Sequence, residues 1–202
     1  MTFVDPYFDT GLGELRNLLD AKTATEFQKL EPQIVFANEL ELESAKIPRT
    51  NDLAELLAIH KQLFHNIYDW AGKIRTVDIR KNVENSEHFL IVSKIRDATN
   101  YVFSELAKEN YLRGLDRAKF IKRLAYFYDQ LNFIHPFREG NGRTQRIFWS
   151  RIASDADYEI NWHEISSNEN DAASKLATEN MDYSLLEKMF TKIIKIQPPP
   201  NA

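Results

Sequence analysis

The chain has no cysteine among its 202 residues. Disulfide scaffolds, cysteine nucleophiles, thiolate zinc sites and iron–sulfur sites are therefore excluded. Glycine is scarce, at six residues, whereas an all-β domain of this length normally needs more turn glycines. Three of the seven prolines stand together at positions 198–200. These shortages favour a mainly helical protein whose last residues, 198–202, form a disordered proline-rich tail.

The sequence also lacks a long apolar run and any large excess of positive charge. No stretch could span a bilayer, and the first ten residues resemble no signal peptide, so we expect a cytoplasmic protein without membrane association. The chain has 26 basic and 30 acidic residues, a net charge of −4, and this balance argues against direct nucleic-acid binding. Length and composition are typical of one globular domain, which we place at residues 1–197.

Helix signals recur along the chain. Thr23 and Glu26 have the spacing of a capping box, and Pro32 is expected to kink or split the helix that they open. Apolar stripes of helical period predict further helices: after Asn51 or Asp52, from Ser93, between Gly114 and Pro136, from residues 142–144, and through residues 185–194.

One segment breaks the helical pattern. Residues 74–80 and 89–92 are short runs rich in β-branched and aromatic side chains, and they flank the polar stretch 81–88. This arrangement is typical of a β-hairpin or flap. The predicted fold class is therefore mainly α, a helical bundle with one β-hairpin flap.

The segment from His135 to Arg146 carries the chemistry, because a predicted helix stops there, a tight loop follows and a new helix starts. Gly140 and Gly142 are expected to allow positive φ and close approach of a ligand. Backbone N–H groups at such a helix start, together with the helix dipole, attract anions. One acid, Glu139, faces four arginines, a local charge of +3 that suits a polyphosphate: Arg138, Arg143, Arg146 and Arg151.

Each polar side chain of this segment has a natural role beside a polyphosphate. Arg143 and Arg146 are three residues apart, share a helix face and can clamp phosphate oxygens. Glu139 can hold Mg²⁺ together with phosphate oxygens and water. His135 can take a proton from an incoming hydroxyl. A helix stop, a Gly-Asn-Gly turn or a pair of surface arginines is common as plain structure, but their concentration within one short segment favours a functional site.

Other nucleotide or metal motifs are absent. The sequence has no P-loop, and Gly11-Leu-Gly13 lacks the third glycine of a dinucleotide fingerprint. His60 and His65 are interpreted as packed or surface residues rather than zinc ligands. The three tryptophans are interpreted as core or ledge residues rather than a stacking platform: Trp70, Trp149 and Trp162.

The segment resembles the signature of the Fic family, which runs His, any residue, Phe, any residue, Asp or Glu, Gly, Asn, Gly, Arg, two residues, Arg. Every fixed position is present: His135, Phe137, Glu139, Gly140, Asn141, Gly142, Arg143 and Arg146. Stretches outside the motif also resemble short bacterial members of the family: residues 5–7, 60–64, 68–72, Arg75 and 77–79. The resemblance covers residues 5–195, essentially the whole domain.

The resemblance implies a protein adenylyltransferase that moves AMP from ATP to a Ser, Thr or Tyr hydroxyl of a target protein. It implies that His135 is the general base and that Glu139 binds Mg²⁺. It further implies that Arg143 and Arg146 fix the β- and γ-phosphates, and that the remaining phosphate contacts come from Gly140, Asn141 and Gly142.

The resemblance also suggests a docking surface. The hairpin would pair with an extended segment of the target by β-augmentation. The flap residues expected to face the target are Val77, Asp78, Ile79 and Arg80. For short stand-alone members the family suggests DNA gyrase and topoisomerase IV as targets.

Two comparisons with the family pattern refine this expectation. The Doc branch, which phosphorylates its targets, has a lysine where this chain has Gly142, so adenylylation is favoured. Many members carry an inhibitory Ser/Thr-x-x-x-Glu-Gly/Asn helix, and no Glu-Gly or Glu-Asn pair of this chain has Ser or Thr four residues earlier. We therefore hypothesise that a small antitoxin protein supplies the inhibitory Glu against Arg146, which would make this chain the toxin of a pair.

Alternatives remain open. The same site could transfer UMP, another nucleotide or phosphate, or the chain could be a nucleotide-binding regulatory module without turnover. A pure binder has no need of a base at His135. A helix-turn-helix DNA binder is disfavoured by the net charge and by Glu139.

Overall fold

Seven α-helices dominate the computed structural model, which describes residues 5–42, 44–80 and 89–197. They are α1 (Ala24–Leu40), α2 (Leu53–Phe64), α3 (Val92–Lys108), α4 (Arg117–Ile134), α5 (Asn141–Asp155), α6 (Ser167–Asn180) and α7 (Ser184–Ile193). Short 3-10 helices occupy Asn110–Leu112 and Trp162–Glu164. The predicted mainly α class is confirmed.

Within the described residues, four short strands form two antiparallel pairs. β1 (Phe8–Asp9) pairs with β2 (Glu14–Leu15) as a local hairpin. β3 (Tyr158–Ile160) follows α5 and pairs with β4 (Ile194–Ile196), which follows α7. The second pair ties the end of the last helix to the chain that leaves α5.

At the start of α1, one of the two hydrogen bonds of the predicted capping box is formed. Thr23 accepts a hydrogen bond from the Glu26 N–H at 3.1 Å, as a capping residue should. The Glu26 carboxylate, however, accepts from the Lys22 N–H at 2.8 Å rather than from Thr23, so the box is half formed. α1 also runs unsplit through Pro32, and buried residues on both sides, Phe27 and Val35, hold its two halves against the core.

α6 lies where the apolar pattern predicts no helix. Its buried side chains, Ala173, Ser174 and Ala177, are small, so the helix shows little apolar periodicity. The available signal is at its start, where Ser166 and Glu169 form a complete capping box.

The predicted flap lies only partly within the described residues. Residues 81–88 fall outside them, and so does the predicted tail, 198–202. On the described flanks, Arg80 forms an isolated bridge, residues 74–79 and 89–91 are irregular, and Val92 already begins α3. The buried side chain of Arg75 holds the chain at the base of the flap by hydrogen bonds to backbone carbonyls.

α4 lies at the centre of the bundle and packs against α3, α5, α6 and α7, while α2 packs against α1 and α5. The loop from α4 to α5 is therefore held at both ends by helices that are anchored in the core. Among the described residues, none of the helices has the length and apolarity needed to cross a membrane.

Candidate active site

His135 ends α4 in the left-handed conformation, with φ 48° and ψ 64°. Its Nδ1 lies 3.2 Å from the carbonyl oxygen of Asn132. Since a carbonyl only accepts, Nδ1 carries the proton in this hydrogen bond and Nε2 carries the lone pair. The imidazole also stacks on Phe89, with ring centroids 3.7 Å apart. These contacts give His135 the tautomer and the fixed orientation that a general base requires.

Asn141 closes the loop that follows His135. Its side-chain oxygen accepts from the Phe137 N–H at 2.8 Å, and its side-chain nitrogen donates to the Phe137 carbonyl at 2.8 Å. Phe137 itself is buried. The Asn141 side chain, expected to hold phosphate, is thus engaged with the loop backbone, whereas its own N–H stands at the start of α5.

Gly140 and Gly142 differ in backbone conformation and in the space available for a side chain. Gly140 has φ +81°, and a Cβ there would come within 2.4 Å of the Phe64 ring. Gly142 lies inside the first turn of α5 without a positive φ, so the expectation of a left-handed turn is wrong for it. A Cβ on Gly142 would meet no atom within 4 Å, so this glycine leaves open space above the helix start.

A carboxylate already occupies the start of α5. The Glu139 Oε1 accepts from the Gly140 N–H at 2.9 Å and lies 3.4 Å from Arg143 Nη2. N–H groups in a first helical turn have no acceptor within the helix and attract anions. The position of the Glu139 carboxylate therefore shows that the loop presents donors to a negatively charged group.

Three of the four arginines are neutralised by acids from elsewhere in the chain. Arg138 pairs with Asp5 at 2.8 Å, Arg143 pairs with Glu31 at 2.7 Å, and Arg151 pairs with Glu55. Burial raises the pKa of both Glu31 and Glu55, and the guanidinium beside each opposes that rise. The predicted local charge of +3 is therefore wrong, because acids distant in sequence fold back onto the segment.

Arg146 differs from the other three arginines. Within the described ranges it has no carboxylate partner, and its buried Nε has no hydrogen-bond acceptor. Its guanidinium lies 5.9 Å from the centre of the Trp162 ring and beside the Tyr128 hydroxyl. Arg146 is thus the cation of the motif that a ligand carboxylate or phosphate can pair with at no cost to an internal ion pair.

A groove of about 880 Å³ extends from Arg143 and Arg146 along α5. Its apolar lining comes from Leu42, Ile47, Ile147, Ile160 and Trp162. Three of its arginines are paired with acids: Arg49 with Asp155, Arg143 with Glu31 and Arg151 with Glu55. Of the remaining charged side chains, Lys46 and Arg146 are balanced in number by Glu39 and Glu159. The groove is therefore amphipathic, and Arg146 is a lining cation that a single acidic group of an occupant could pair with.

Two buried residues that the sequence analysis did not place in the site hold it in position. His60, interpreted from the sequence as a packed or surface residue, is fully buried, and its Nε2 lies 3.0 Å from the Glu139 carbonyl oxygen. Arg75 is also buried and donates to the carbonyls of His135 at 2.9 Å, Val77 at 2.7 Å and Leu90. Both lie in stretches that resemble the family, which is the signal by which they could have been found.

The described flap residues are unequal in exposure. Val77 is buried and Ile79 is half-buried, whereas Arg80 is exposed. Asp78 is exposed, but its Oδ1 accepts from the Val92 N–H at 2.7 Å. Of the four predicted docking residues, Asp78 and Arg80 are therefore the exposed ones, whereas Val77 packs into the core.

The donor set at Glu139 fits Mg²⁺ in one particular mode. Among the described residues, no three side chains of His, Asp or Glu come together as a metal cage. Mg²⁺ is commonly held by one or two carboxylates together with substrate phosphates and waters. A single half-exposed carboxylate beside a helix start would fit the protein's share of such a site.

Comparison with known proteins places this chain in a family. The family model described as Fic/DOC matches residues 50–153. The "Probable protein adenylyltransferase Fic" of Escherichia coli is 35% identical over 191 residues, which are 94% of this chain and 92% of that protein. The protein adenylyltransferase VbhT of Bartonella schoenbuchensis is 38% identical over 170 residues, 84% of this chain but only 35% of VbhT.

Solved structures with a similar fold also include Fic-domain proteins. The N-terminal Fic domain of a VirB-translocated Bep effector protein from Bartonella quintana, with bound ADP, is 26% identical, with a TM-score of 0.87 over 95% of each chain. BepC from Bartonella tribocorum, with bound AMPPNP, has a TM-score of 0.85 over 95% of this chain and 97% of BepC, and at 23% identity it supports the fold alone. The chain belongs to the Fic/DOC family.

Proposed function

We propose that this member of the Fic/DOC family is a protein adenylyltransferase, which transfers AMP from ATP to a hydroxyl side chain of a target protein. The observation that carries the proposal is the placement of His135. Its Nδ1 is committed to the Asn132 carbonyl, so the basic Nε2 belongs to an imidazole of fixed orientation. This base stands one short loop away from a helix start that presents anion-binding N–H groups.

The nucleotide phosphates would bind at the start of α5. The N–H groups of Gly140, Asn141 and Gly142 supply donors there, and the Glu139 carboxylate occupies part of this position in the structure. Arg146 supplies a cation without an internal carboxylate partner among the described residues, and Arg143 supplies one held by Glu31. Glu139 would hold Mg²⁺, which when bound neutralises phosphate charge.

The reaction then needs positioning and one proton acceptor. The target hydroxyl oxygen forms a bond to the α-phosphorus while the bond from that phosphorus to the α–β bridging oxygen breaks. Pyrophosphate leaves with the electron pair, and His135 Nε2 takes the hydroxyl proton. Holding base, nucleotide and target in one geometry supplies most of the acceleration expected for such a transfer.

The target would dock on the flap. The exposed residues Asp78 and Arg80 lie on the chain that Arg75 ties to the His135 carbonyl, so a target segment bound there is held near the base. An extended segment of the target would pair with the backbone of residues 78–80 by β-augmentation. The proposed targets are subunits of DNA gyrase or topoisomerase IV, as the family resemblance suggests.

A small antitoxin protein would regulate the site. We propose that one of its helices lies in the groove along α5 and places a Glu against Arg146. Arg146 supports this occupant, because it lines the groove and, within the described residues, has no carboxylate partner that a Glu of the antitoxin would have to displace. The apolar side chains of the groove suit the apolar face of a helix. On this reading the chain is the toxin of a toxin–antitoxin pair and acts in the cytoplasm.

The activity is tested by incubating the purified chain with Mg²⁺, α-³²P-ATP and bacterial lysate. Label on a discrete band with the wild type, and none with His135→Ala, is the expected result. Label from γ-³²P-ATP but not from α-³²P-ATP would replace adenylylation with phosphorylation. Nucleotide binding without label from either would favour a regulatory module.

The antitoxin is tested separately by co-expression with the product of a neighbouring gene. Inhibition of AMP transfer that is lost when the partner's Glu is changed to Gln supports the pair. Lys46→Glu reverses one charge of the groove away from the motif and should weaken that inhibition. Activity that no neighbouring gene product restrains would contradict the toxin role.

A further inference from the structure

We infer that His60 is a positioning residue for the nucleotide site, because it fixes the peptide bond between Glu139 and Gly140. This inference rests on the proposed function, since it concerns the phosphate-binding loop. It adds a residue of α2 that lies outside the signature segment and touches no reacting group.

Both ring nitrogens of His60 are engaged by backbone groups of opposite kind. The Gly72 N–H donates to Nδ1 at 2.8 Å, and the Nε2–H donates to the Glu139 carbonyl at 3.0 Å. An amide N–H can only donate and a carbonyl can only accept, so one neutral tautomer satisfies both. The imidazole is fully buried and stacks on Phe137, with ring centroids 3.8 Å apart.

The orientation of this peptide decides where the Gly140 N–H points. In a trans peptide the carbonyl and the following N–H point in opposite directions. With the Glu139 carbonyl held by His60, the Gly140 N–H points away from α2 and reaches the Glu139 carboxylate at the anion position. A rotated peptide would present a carbonyl oxygen to the phosphates instead.

The local chain does not prevent such a rotation. Gly140 has φ +81°, and glycine accepts positive and negative φ with similar ease. The glycine is required by the Phe64 ring, which leaves no room for a Cβ. The φ preference of Gly140 therefore does not fix the orientation of the Glu139–Gly140 peptide, and the hydrogen bond from His60 selects one of its two orientations.

Two matched variants separate the hydrogen bond that His60 accepts from Gly72 from the one that it donates to Glu139. Asn can replace the Nδ1 of His as an acceptor for Gly72 but is too short to reach Glu139, whereas Gln can place its amide nitrogen near the position of Nε2. Without the donor to Glu139, the Gly140 N–H no longer points at the phosphates. We therefore expect His60→Asn to weaken AMPPNP binding about tenfold to a hundredfold, the loss typical of one hydrogen bond to a charged group. His60→Gln should bind within about threefold of the wild type, because the donor to Glu139 is restored.

The measurement is calorimetric titration with AMPPNP, with and without Mg²⁺, beside a thermal melt of each variant. Leu186→Ala in α7 is the control for lost stability, since Leu186 is buried far along the chain from the loop. It should lower the melting temperature without changing the dissociation constant. A His60→Asn protein that is folded and binds AMPPNP like the wild type would overturn the inference, as would equal loss in the Asn and Gln variants.

Failure of the proposed function would look different. A wild-type chain that binds AMPPNP but labels no protein would contradict adenylyl transfer and leave the binding test of His60 intact. A wild-type chain that binds no AMPPNP would overturn both.

Discussion

Glu31 on α1 and Arg143 on α5 form an ion pair with 2.7 Å between Oε1 and Nη1, although 112 residues separate them in sequence. The Arg143 guanidinium also lies 4.9 Å from the centre of the Phe64 ring and 3.4 Å from the Glu139 carboxylate. The two arginines of the motif are therefore unequal. Arg143 is held between carboxylates, whereas Arg146 lacks such a partner within the described residues.

This inequality predicts different effects of removing each arginine. Arg143→Ala should lower the free energy of unfolding by about 1–3 kcal/mol, because it leaves the buried Glu31 without its partner. It should also weaken nucleotide binding and turnover together. Arg146→Ala should weaken nucleotide binding with a smaller loss of stability. Urea unfolding and AMPPNP titration of both variants check this, and equal stability losses would contradict it.

The role of His135 predicts a loss of rate without a loss of binding. His135→Ala should reduce AMP transfer about 10²–10⁴-fold, the usual contribution of a general base. AMPPNP affinity should stay near that of the wild type, because the phosphates bind at α5. His65→Ala is a matched control, since His65 is an exposed histidine at the end of α2. Full transfer activity in His135→Ala would show that another group takes the proton.

The two loop glycines should respond oppositely to the same added methyl group. Gly140→Ala should cost about 2–4 kcal/mol of stability, because it combines a left-handed backbone with a clash against Phe64. Gly142→Ala should leave the melting temperature unchanged or slightly raised, since its Cβ meets no neighbour within 4 Å and alanine favours a helix. The same Cβ enters the proposed phosphate site, so nucleotide binding should fall. A stable Gly140→Ala protein would contradict the packing argument.

His60 should make stability depend on pH. Burial lowers the pKa of His60 from 6.5 to about 3, so below pH 6.5 the unfolded chain binds a proton that the folded protein does not. The contribution of neutral His60 to the free energy of unfolding is therefore complete above pH 6.5 and falls as the pH drops toward 3. Between pH 7 and pH 5 the expected loss is about 2 kcal/mol.

The measurement must isolate His60 from other groups. Burial raises the pKa of Glu31 and Glu55, and a raised carboxyl pKa adds stability on acidification, which is the opposite trend. Unfolding free energies of the wild type and His60→Gln should therefore be compared at each pH from 5 to 7. If His60 is the cause, the stability advantage of the wild type over His60→Gln should shrink by about 2 kcal/mol as the pH falls from 7 to 5. A constant difference would refute the assignment.

Local sequence signals were sufficient for the fold class and for the helix ends on either side of the loop between α4 and α5. Asp52 caps α2, Pro136 lies just beyond the end of α4, and the glycine-containing loop starts α5, because caps, prolines and glycines act through backbone dihedral angles close to them in the chain. α6 escaped prediction because its buried residues are small, although its capping box was readable.

By itself the sequence determined that a helix ends at His135, that a donor-rich helix start follows within a few residues, and that the chain resembles the Fic family. Only the tertiary structure decided which charges remain available there. Asp5, Glu31 and Glu55 reach the segment from far along the chain and neutralise three of its arginines, and His60 reaches the Glu139 carbonyl across 79 residues. Backbone dihedral preferences are local and can be read from neighbouring residues, whereas ion pairs and hydrogen bonds depend on distances and burial that exist only after the helices have packed.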